Sequence, residues 1–422
     1  MSDMDESDVL HHYRRQLREW LNANLSARDP NAGLRGGHDI TAQELAADRA
    51  VRRRIFDAGY MGITWPTEYG GQGLTSDHQQ IWNEESQAYA VPLPGGIAGS
   101  VTLGIVGPTL MAHGTEAQKR EWVPKLLSGE EIWVQLLSEP GAGSDLAGVL
   151  TRASRDGETW VLSGTKLWSS GAMCADYGIC LARTDWDAPK HRGLTWFKVP
   201  MRDPQMTVRP VREINGSSEF CEEFLDDVVV SDDMRIGALN DGWSIANTML
   251  AFERGAGGHG RVVAPAGRRE LAPDLVALAR RRGVTGDGHV RQLIARAHID
   301  DYMYEQLGRR VSTAIRLKVA VPMSASYIKL ARGVLEPQRV QAAMEIAGRP
   351  SIAWHPDDEA SQTAATNYLN GRIYAIAGGS NQIQRNIISE RLLGLPREPG
   401  FDTDRSFREV LDAAKNWGAK ST

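Results

Sequence analysis

The sequence has few cysteines and no long apolar run. Its 422 residues hold three cysteines, Cys174, Cys180 and Cys221, without the C-x-x-C spacing that zinc or redox motifs use. Small disulfide scaffolds are dense in cysteine, so that class is excluded as well. No apolar stretch reaches the length of a membrane span, and the first residues lack the apolar centre of a signal peptide. We therefore expect a cytoplasmic protein with no membrane span.

A strong positive charge is also missing. The chain has 48 Lys and Arg against 53 Asp and Glu, a net charge of -5. A nucleic-acid partner is not expected, because no basic field is present to attract phosphates. The adjacent pair His11 and His12 does not indicate a metal site, since neighbouring side chains on a helix do not face one ligand.

The spacing of apolar residues divides the chain into four parts. Residues 1–132 show helical spacing, residues 133–241 short strand-like runs such as TWVLSGTKLWS, and residues 242–396 helical spacing again. In the third part a long helix is predicted, with an apolar stripe from Leu293 to Ile315. Residues 397–422 form a tail with one short amphipathic helix, FREVLDAAKNW.

Two polar segments border the strand-like part. LLSEPGAGSDLAG, from Leu136 to Gly148, has a proline-glycine turn and small residues before Ser144, which suits the exposure of backbone N–H groups to an anion or a flat ring edge. TKLWSSGA follows from Thr165 to Ala172 and offers a planar indole beside hydroxyl donors. The alternative interpretation of the first segment is an ordinary polar connection, and that of the second is a core residue followed by a turn.

Of two further glycine-rich segments, one is a candidate ligand site and the other is interpreted as an accidental motif match. IAGGSNQIQRN, from Ile376 to Asn386, offers hydroxyl, amide and guanidinium groups, and it contains no strong general base. The G-x-G-x-x-G match at residues 255–260 follows a helical pattern and not a strand, so we interpret it as accidental and not as a dinucleotide-binding turn.

Taken in order along the chain, these segments resemble those of the acyl-CoA dehydrogenase family. GYMGITWPTEYGGQGL, SEPGAGSDLAG, TKLWSSGA, FERGAG and AIAGGSNQIQRNIISERLLGLP occur in the family's order and span almost the whole chain. The resemblance implies an α+β, mainly α fold with an N-terminal helical domain, a small central β-barrel domain and a C-terminal four-helix bundle. It also implies bound FAD.

The resemblance assigns most of the FAD contacts to the motifs quoted above. Ser144 matches a position that contacts the CoA-bearing ligand as well. The residues that match cofactor-binding positions are Leu137, Ser138, Ser144, Trp168, Ser170, Ser380 and Gln382.

The proton acceptor is the unusual feature. Many family members carry the catalytic glutamate at the position of Gly378, which has no side chain. A minority carry it before an arginine at the start of the last helical part, where this chain has Glu253 and Arg254. We therefore expect Glu253 to be the base, with Arg254 and Gly378 beside the substrate; a solvated helix carboxylate is the other interpretation of Glu253.

The sequence departs from the family where the FAD pyrophosphate and adenine are usually held. GRRELAPDL and MEIAGRP replace the usual motifs, and Arg268, Arg269 and Gln292 are the residues that could compensate. A homotetramer or homodimer is expected, or one half of a heteromer with a related subunit.

The expected reaction is FAD-dependent α,β-dehydrogenation of an acyl-CoA, with electrons passed to an acceptor of the electron-transfer flavoprotein type. A flavin-dependent monooxygenase or oxidase on the same fold, and an FAD- or acyl-binding subunit, are the alternatives.

Overall fold

The computed structural model describes residues 6–28, 40–254, 272–317, 319, 323–354, 357–397, 399–400 and 402–415. The accidental glycine match at 255–260 and the candidate Arg268 lie outside these ranges. Contacts divide the chain into two units. The first comprises Met1–Phe252 and Gly400–Thr422, and the second comprises Glu253–Pro399.

Helices make up most of the structure. They are α1 (Glu6–Asn24), α2 (Ala42–Asp57), α3 (Ser76–Glu85), α4 (Ile97–Val101), α5 (Gly107–His113), α6 (Glu116–Ser128), α7 (Gly242–Glu253), α8 (Pro273–Arg282), α9 (Gly288–Arg316), α10 (Ala325–Ala347), α11 (Arg349–Ala353), α12 (Glu359–Asn370), α13 (Asn381–Ile387) and α14 (Phe407–Lys415). None of the described helices is long and apolar enough to cross a membrane.

The first unit begins with the helices α1 to α6. Two of them start with reciprocal caps: Thr41 and Glu44 exchange hydrogen bonds at the start of α2, and Thr115 and Gln118 do the same at α6. Each such cap satisfies two backbone N–H groups that a helix start leaves unpaired. Leu17, Leu21 and Ile55 from α1 and α2 are fully covered in the core of this part.

A β part follows in the same unit. Its strands are β1 (Trp133–Leu136), β2 (Arg152–Asp156), β3 (Thr159–Ser170), β4 (Tyr177–Arg183), β5 (Leu194–Pro200), β6 (Met206–Pro210), β7 (Phe220–Ser231) and β8 (Arg235–Ile236). They form one sheet in the order β6-β7-β3-β2-β4-β5-β8, and β1 pairs with β4 in parallel. The long strands β3 and β7 are antiparallel, with irregular register at two points.

The second unit contains α8 to α13 and packs around α10. Leu275 of α8, Val290 of α9 and Ile346 of α10 belong to its core. Arg339 of α10 donates hydrogen bonds to Asp301 of α9 at 2.6 Å and to Asp274 of α8 at 2.5 Å. These charge-assisted bonds fix the spacing of three helices on one side of the core.

The helix–strand–helix order predicted from sequence is confirmed. The predicted tail helix is α14. The predicted stripe of α9 is only partly right, because Ala297 and Val311 are buried while Ile315 is 41% exposed. Ile315 lies one residue before the end of α9, where fewer neighbouring helices remain to cover it.

Candidate active site

The two polar segments of the first unit are bonded to each other. The backbone N–H of Leu167 on β3 donates to the carbonyl of Ser138 at 2.9 Å. Lys166 Nζ donates to the carbonyl of Leu137 at 3.0 Å. Two segments almost thirty residues apart are therefore held next to each other.

A buried ion pair lies behind this surface. Lys166 is fully covered and donates to Glu139 Oε1 at 2.8 Å. The Glu139 carboxylate also accepts the backbone N–H groups of Leu150 at 2.6 Å and Thr151 at 2.9 Å. Burial alone raises the pKa of Glu139, but the charge of Lys166 and these hydrogen bonds hold that pKa below its ordinary value. Glu139 is therefore a charged anchor for the loop that contains Ser144.

Glu223 is a second buried acid next to this pair, and the sequence reasoning missed it. It lies opposite Lys166 across β3 and β7, and its Oε2 accepts a hydrogen bond from Ser169 Oγ at 3.0 Å. Its Oε1 has no hydrogen-bond partner among the described residues. Burial raises the pKa of Glu223 to about 8, although Ser169 and Lys166 act in the opposite direction. The signal in the sequence was alternation, since Cys221, Glu223 and Leu225 share one buried face of β7.

Trp168 presents an open aromatic surface at a strand irregularity. The β3–β7 register shifts between Leu167 and Ser169, and Trp168 has the left-handed backbone angle φ of +70°. Its side chain is 54% exposed and meets the Phe220 ring edge-on at 5.9 Å. The half-buried Ser170 follows it, while Ser144 is exposed on the other segment. An exposed indole next to hydroxyl groups can stack on a flat ligand, so this surface is suited to one.

The second unit brings Glu253 and Gly378 together. A Cβ atom placed on Gly378 would lie 3.2 Å from Glu253 Oε1 and 3.1 Å from Lys329 Cε. Glu253 therefore fills the space next to the glycine where many family members carry their base. Lys329, from the start of α10, was not singled out by the sequence, because a lysine in a helix ordinarily indicates a solvated face.

Opposing effects act on the Glu253 carboxyl group. Burial raises its pKa, and the positive charges of Arg254 and Lys329 lower it. Arg254 is half-buried, its Nε has no hydrogen-bond partner among the described residues, and burial lowers its pKa. A carboxyl group with a raised pKa next to cations is a typical arrangement for a general base.

The polar turn after Gly378 is built on two glycines. Gly378 and Gly379 have φ of +66° and +86°, a backbone region that favours glycine. Gln384 Nε2 donates to the Gly378 carbonyl at 3.0 Å, and Ser380 Oγ accepts the backbone N–H of Ile383 at 3.3 Å. Ser380 is thus the cap of α13, while Gln382 is exposed.

The remaining cofactor candidates are less informative. Gln292 is exposed on α9. Arg268 lies in the range that the structure does not describe, so its role stays a prediction.

Family models match three consecutive stretches of the chain. The acyl-CoA dehydrogenase N-terminal domain matches residues 14–130, the middle domain residues 135–228 and the C-terminal domain residues 240–393. The order and the helical or β character of these domains agree with the fold described above.

Individual proteins agree with the models. The acyl-CoA dehydrogenase IpdE1 of Mycobacterium tuberculosis is 37% identical over 398 residues, which cover 94% of this chain and 99% of the relative. The solved Tcur3481-Tcur3483 steroid ACAD is 30% identical, with a TM-score of 0.72 and coverage of 94% of this chain and 100% of that one. The ChsE4-ChsE5 complex from Mycobacterium tuberculosis is 25% identical, with a TM-score of 0.68 and coverage of 94% and 100%. The chain therefore belongs to the acyl-CoA dehydrogenase family.

Proposed function

We propose that this chain dehydrogenates an acyl-CoA thioester between its α and β carbons, with FAD as the oxidant and Glu253 as the base. The observation that carries this proposal is the position of the Glu253 carboxyl group. It lies 3.2 Å from where a side chain at Gly378 would begin, next to Arg254 and Lys329. One carboxyl group thus takes the place that the glycine leaves empty.

The chemistry asked of Glu253 is the transfer of one proton. The thioester carbonyl acidifies the α-hydrogen, the α C–H bond breaks, and the proton moves to a carboxylate oxygen of Glu253. The electron pair left on the α carbon forms the new double bond as the β-hydrogen departs with its own pair. Bound FAD would supply the acceptor for that hydride. Arg254 is proposed to stabilise the anionic carboxylate before the transfer.

The first unit has groups that fit the flavin. Trp168 offers an exposed ring face, and Ser170 offers a hydroxyl group two residues later. Lys166 holds the Leu137 carbonyl and the Leu167 N–H holds the Ser138 carbonyl, so this surface is preorganised. Ser380 and Gln382 in the second unit remain proposed contacts from the resemblance. Arg268 and Gln292 remain proposed contacts that compensate where the sequence departs from the family.

For the substrate and the partner we propose a bulky ring-bearing acyl-CoA and a heteromer with a related subunit. Support comes from the Tcur3481-Tcur3483 steroid ACAD at 30% identity and from the ChsE4-ChsE5 complex, each named for two components. A homodimer or homotetramer is the alternative, and an electron-transfer flavoprotein is the proposed acceptor.

The test is anaerobic mixing of the purified protein, alone and with its co-expressed neighbouring subunit, with short-chain, branched and steroid-type acyl-CoAs. We expect a yellow, FAD-containing protein whose flavin bleaches with at least one acyl-CoA and yields the enoyl-CoA in equal amount. Protein that takes up no FAD in either form would contradict the cofactor assignment. Rapid reoxidation by air with no enoyl-CoA would instead indicate an oxidase or monooxygenase.

A further inference from the structure

Lys329 occupies a position that neither the motifs nor the proposed reaction accounts for. It lies in the second turn of α10, and its Nζ donates a hydrogen bond to the carbonyl of Tyr374 at 2.8 Å. Tyr374 belongs to the short helical turn Gly371–Ala375 and lies four residues before Gly378. The lysine therefore ties α10 to the backbone that leads into the glycine turn.

The alkyl chain of Lys329 covers Gly378. Its Cε and Cδ atoms would be 3.1 Å and 3.8 Å from a Cβ atom at that residue, and Glu253 Oε1 would be 3.2 Å from the same point. The lysine stem and the carboxyl group thus border one small space from two sides. The Tyr374 carbonyl restrains the ammonium group of the half-buried Lys329, because a hydrogen bond from a charged donor is stronger than one between neutral groups.

We propose that Lys329 is a positioning residue: its stem and the Glu253 carboxylate border the same space at Gly378, and its ammonium group, held there by the Tyr374 carbonyl, favours the charged, proton-accepting form of that carboxylate. This inference rests on the proposed role of Glu253. The groups that act on Glu253 among the described residues are Arg254, its neighbour in the chain, and Lys329. Those that act on Lys329 are Glu253, Arg332 and Arg254.

The alternative is that Lys329 only stabilises the turn through Tyr374. Arg332, which lies on α10 as Lys329 does, provides a comparison. Its guanidinium lies 4.1 Å from the centre of the Tyr374 ring, and it is not among the groups that shift the pKa of Glu253. Arg332→Met therefore removes a charge near the same turn without removing one beside the base. A purely structural lysine would make Lys329→Met and Arg332→Met alike in their effect on Glu253.

The first measurement is independent of flavin chemistry. Carbon-13 NMR of protein labelled at the glutamate carboxyl carbons is followed from pH 5 to 9, with Glu253→Gln used to assign the Glu253 signal. A neutral side chain in place of a nearby cation should move the Glu253 titration to higher pH in Lys329→Met. Lys329→Arg and Arg332→Met should titrate like the unmodified protein. Lys329→Gln provides the neutral variant if Lys329→Met does not fold.

The second measurement is the pH profile of flavin reduction by an active acyl-CoA. Because the pKa of Glu253 should rise when Lys329 is replaced by Met, reduction should slow by about tenfold at the acidic end of the profile and much less at the alkaline end. Equal slowing at every pH, or an unmoved Glu253 titration in Lys329→Met, would overturn the proposal. A protein that reduces no flavin would contradict the proposed function, and the NMR titration would still decide the role of Lys329.

Discussion

At the scale of single residues, Glu223 lies on the buried face of β7, where strand alternation predicts an apolar side chain. Its neighbours on the same face are Cys221 and Leu225, both buried. Lys166 opposite and Glu222 beside it are the charges that act on the Glu223 carboxyl group, which accepts one hydrogen bond among the described residues, from Ser169. Because burial raises its pKa to about 8, the Glu223 carboxyl group is protonated at neutral pH and is an uncharged polar group in the core.

A stability prediction follows from the pKa of Glu223. Its pKa is about 8 in the folded protein against 4.5 for the ordinary group, so the folded state holds an extra proton between these values. The contribution to stability is full below pH 4.5 and is lost as the pH rises through 8. Glu223→Gln cannot ionise, so its free energy of unfolding should fall less between pH 5 and 9, by a difference of about 1 kcal/mol or more.

Urea unfolding at a series of pH values measures this difference. Glu158→Gln is the matched control, because it removes an exposed carboxyl group between β2 and β3 that is not among the groups acting on Glu223. Identical pH dependence in Glu223→Gln and the unmodified protein would show that Glu223 is charged in the folded state.

Gly378 shows what a sequence can and cannot predict about a residue. The missing side chain and the Glu253-Arg254 pair predicted that the base lies elsewhere, and the structure places Glu253 next to the glycine. Lys329 could not be predicted, because no local pattern relates it to residues 76 positions before it or 49 after it. Glu223 was missed for a different reason: strand alternation puts it on one face with Cys221 and Leu225, but a carboxyl group ordinarily indicates an exposed side chain.

At the scale of elements, Lys166 holds together the two polar segments, Leu136 to Gly148 and Thr165 to Ala172. Its ammonium group bonds the Leu137 carbonyl and Glu139, and Glu139 in turn holds the backbone of Leu150 and Thr151. Sequence predicted both segments and their nearness in the site only through the family resemblance. Their hydrogen bonds cross from β3 to the loop after β1, and such long-range contacts have no local signature.

Lys166→Met should therefore destabilise the protein strongly. It leaves the buried Glu139 carboxylate without its cation. Removing one partner of a buried ion pair typically costs about 3–5 kcal/mol of stability. Arg53→Met removes the exposed pair with Asp57 on α2 and should cost at most about 1 kcal/mol. Chemical denaturation of both variants gives the comparison. A loss in Lys166→Met no larger than that in Arg53→Met would contradict the anchoring role.

At the scale of the whole molecule, the sequence predicted the order of the parts well. Helical spacing, strand-like runs and helical spacing again correspond to α1–α6, β1–β8 and α7–α13. The joining of the C-terminal tail to the first unit could not be predicted. There Arg408 of α14 bonds Asp187, and the Phe407 ring lies 3.7 Å from the Arg183 guanidinium. Those contacts join residues more than two hundred positions apart.

The central claim is that Glu253 accepts the substrate proton, and anaerobic stopped-flow bleaching of the flavin by an active acyl-CoA tests it most directly. Glu253→Gln keeps the side-chain shape, so fold and bound flavin should be retained while flavin reduction slows by ~10²–10⁴. Glu359→Gln, which neutralises an exposed carboxylate on α12 of the same unit, should bleach at the unmodified rate. An unchanged bleaching rate in Glu253→Gln would contradict this claim and show that another group accepts the α-proton.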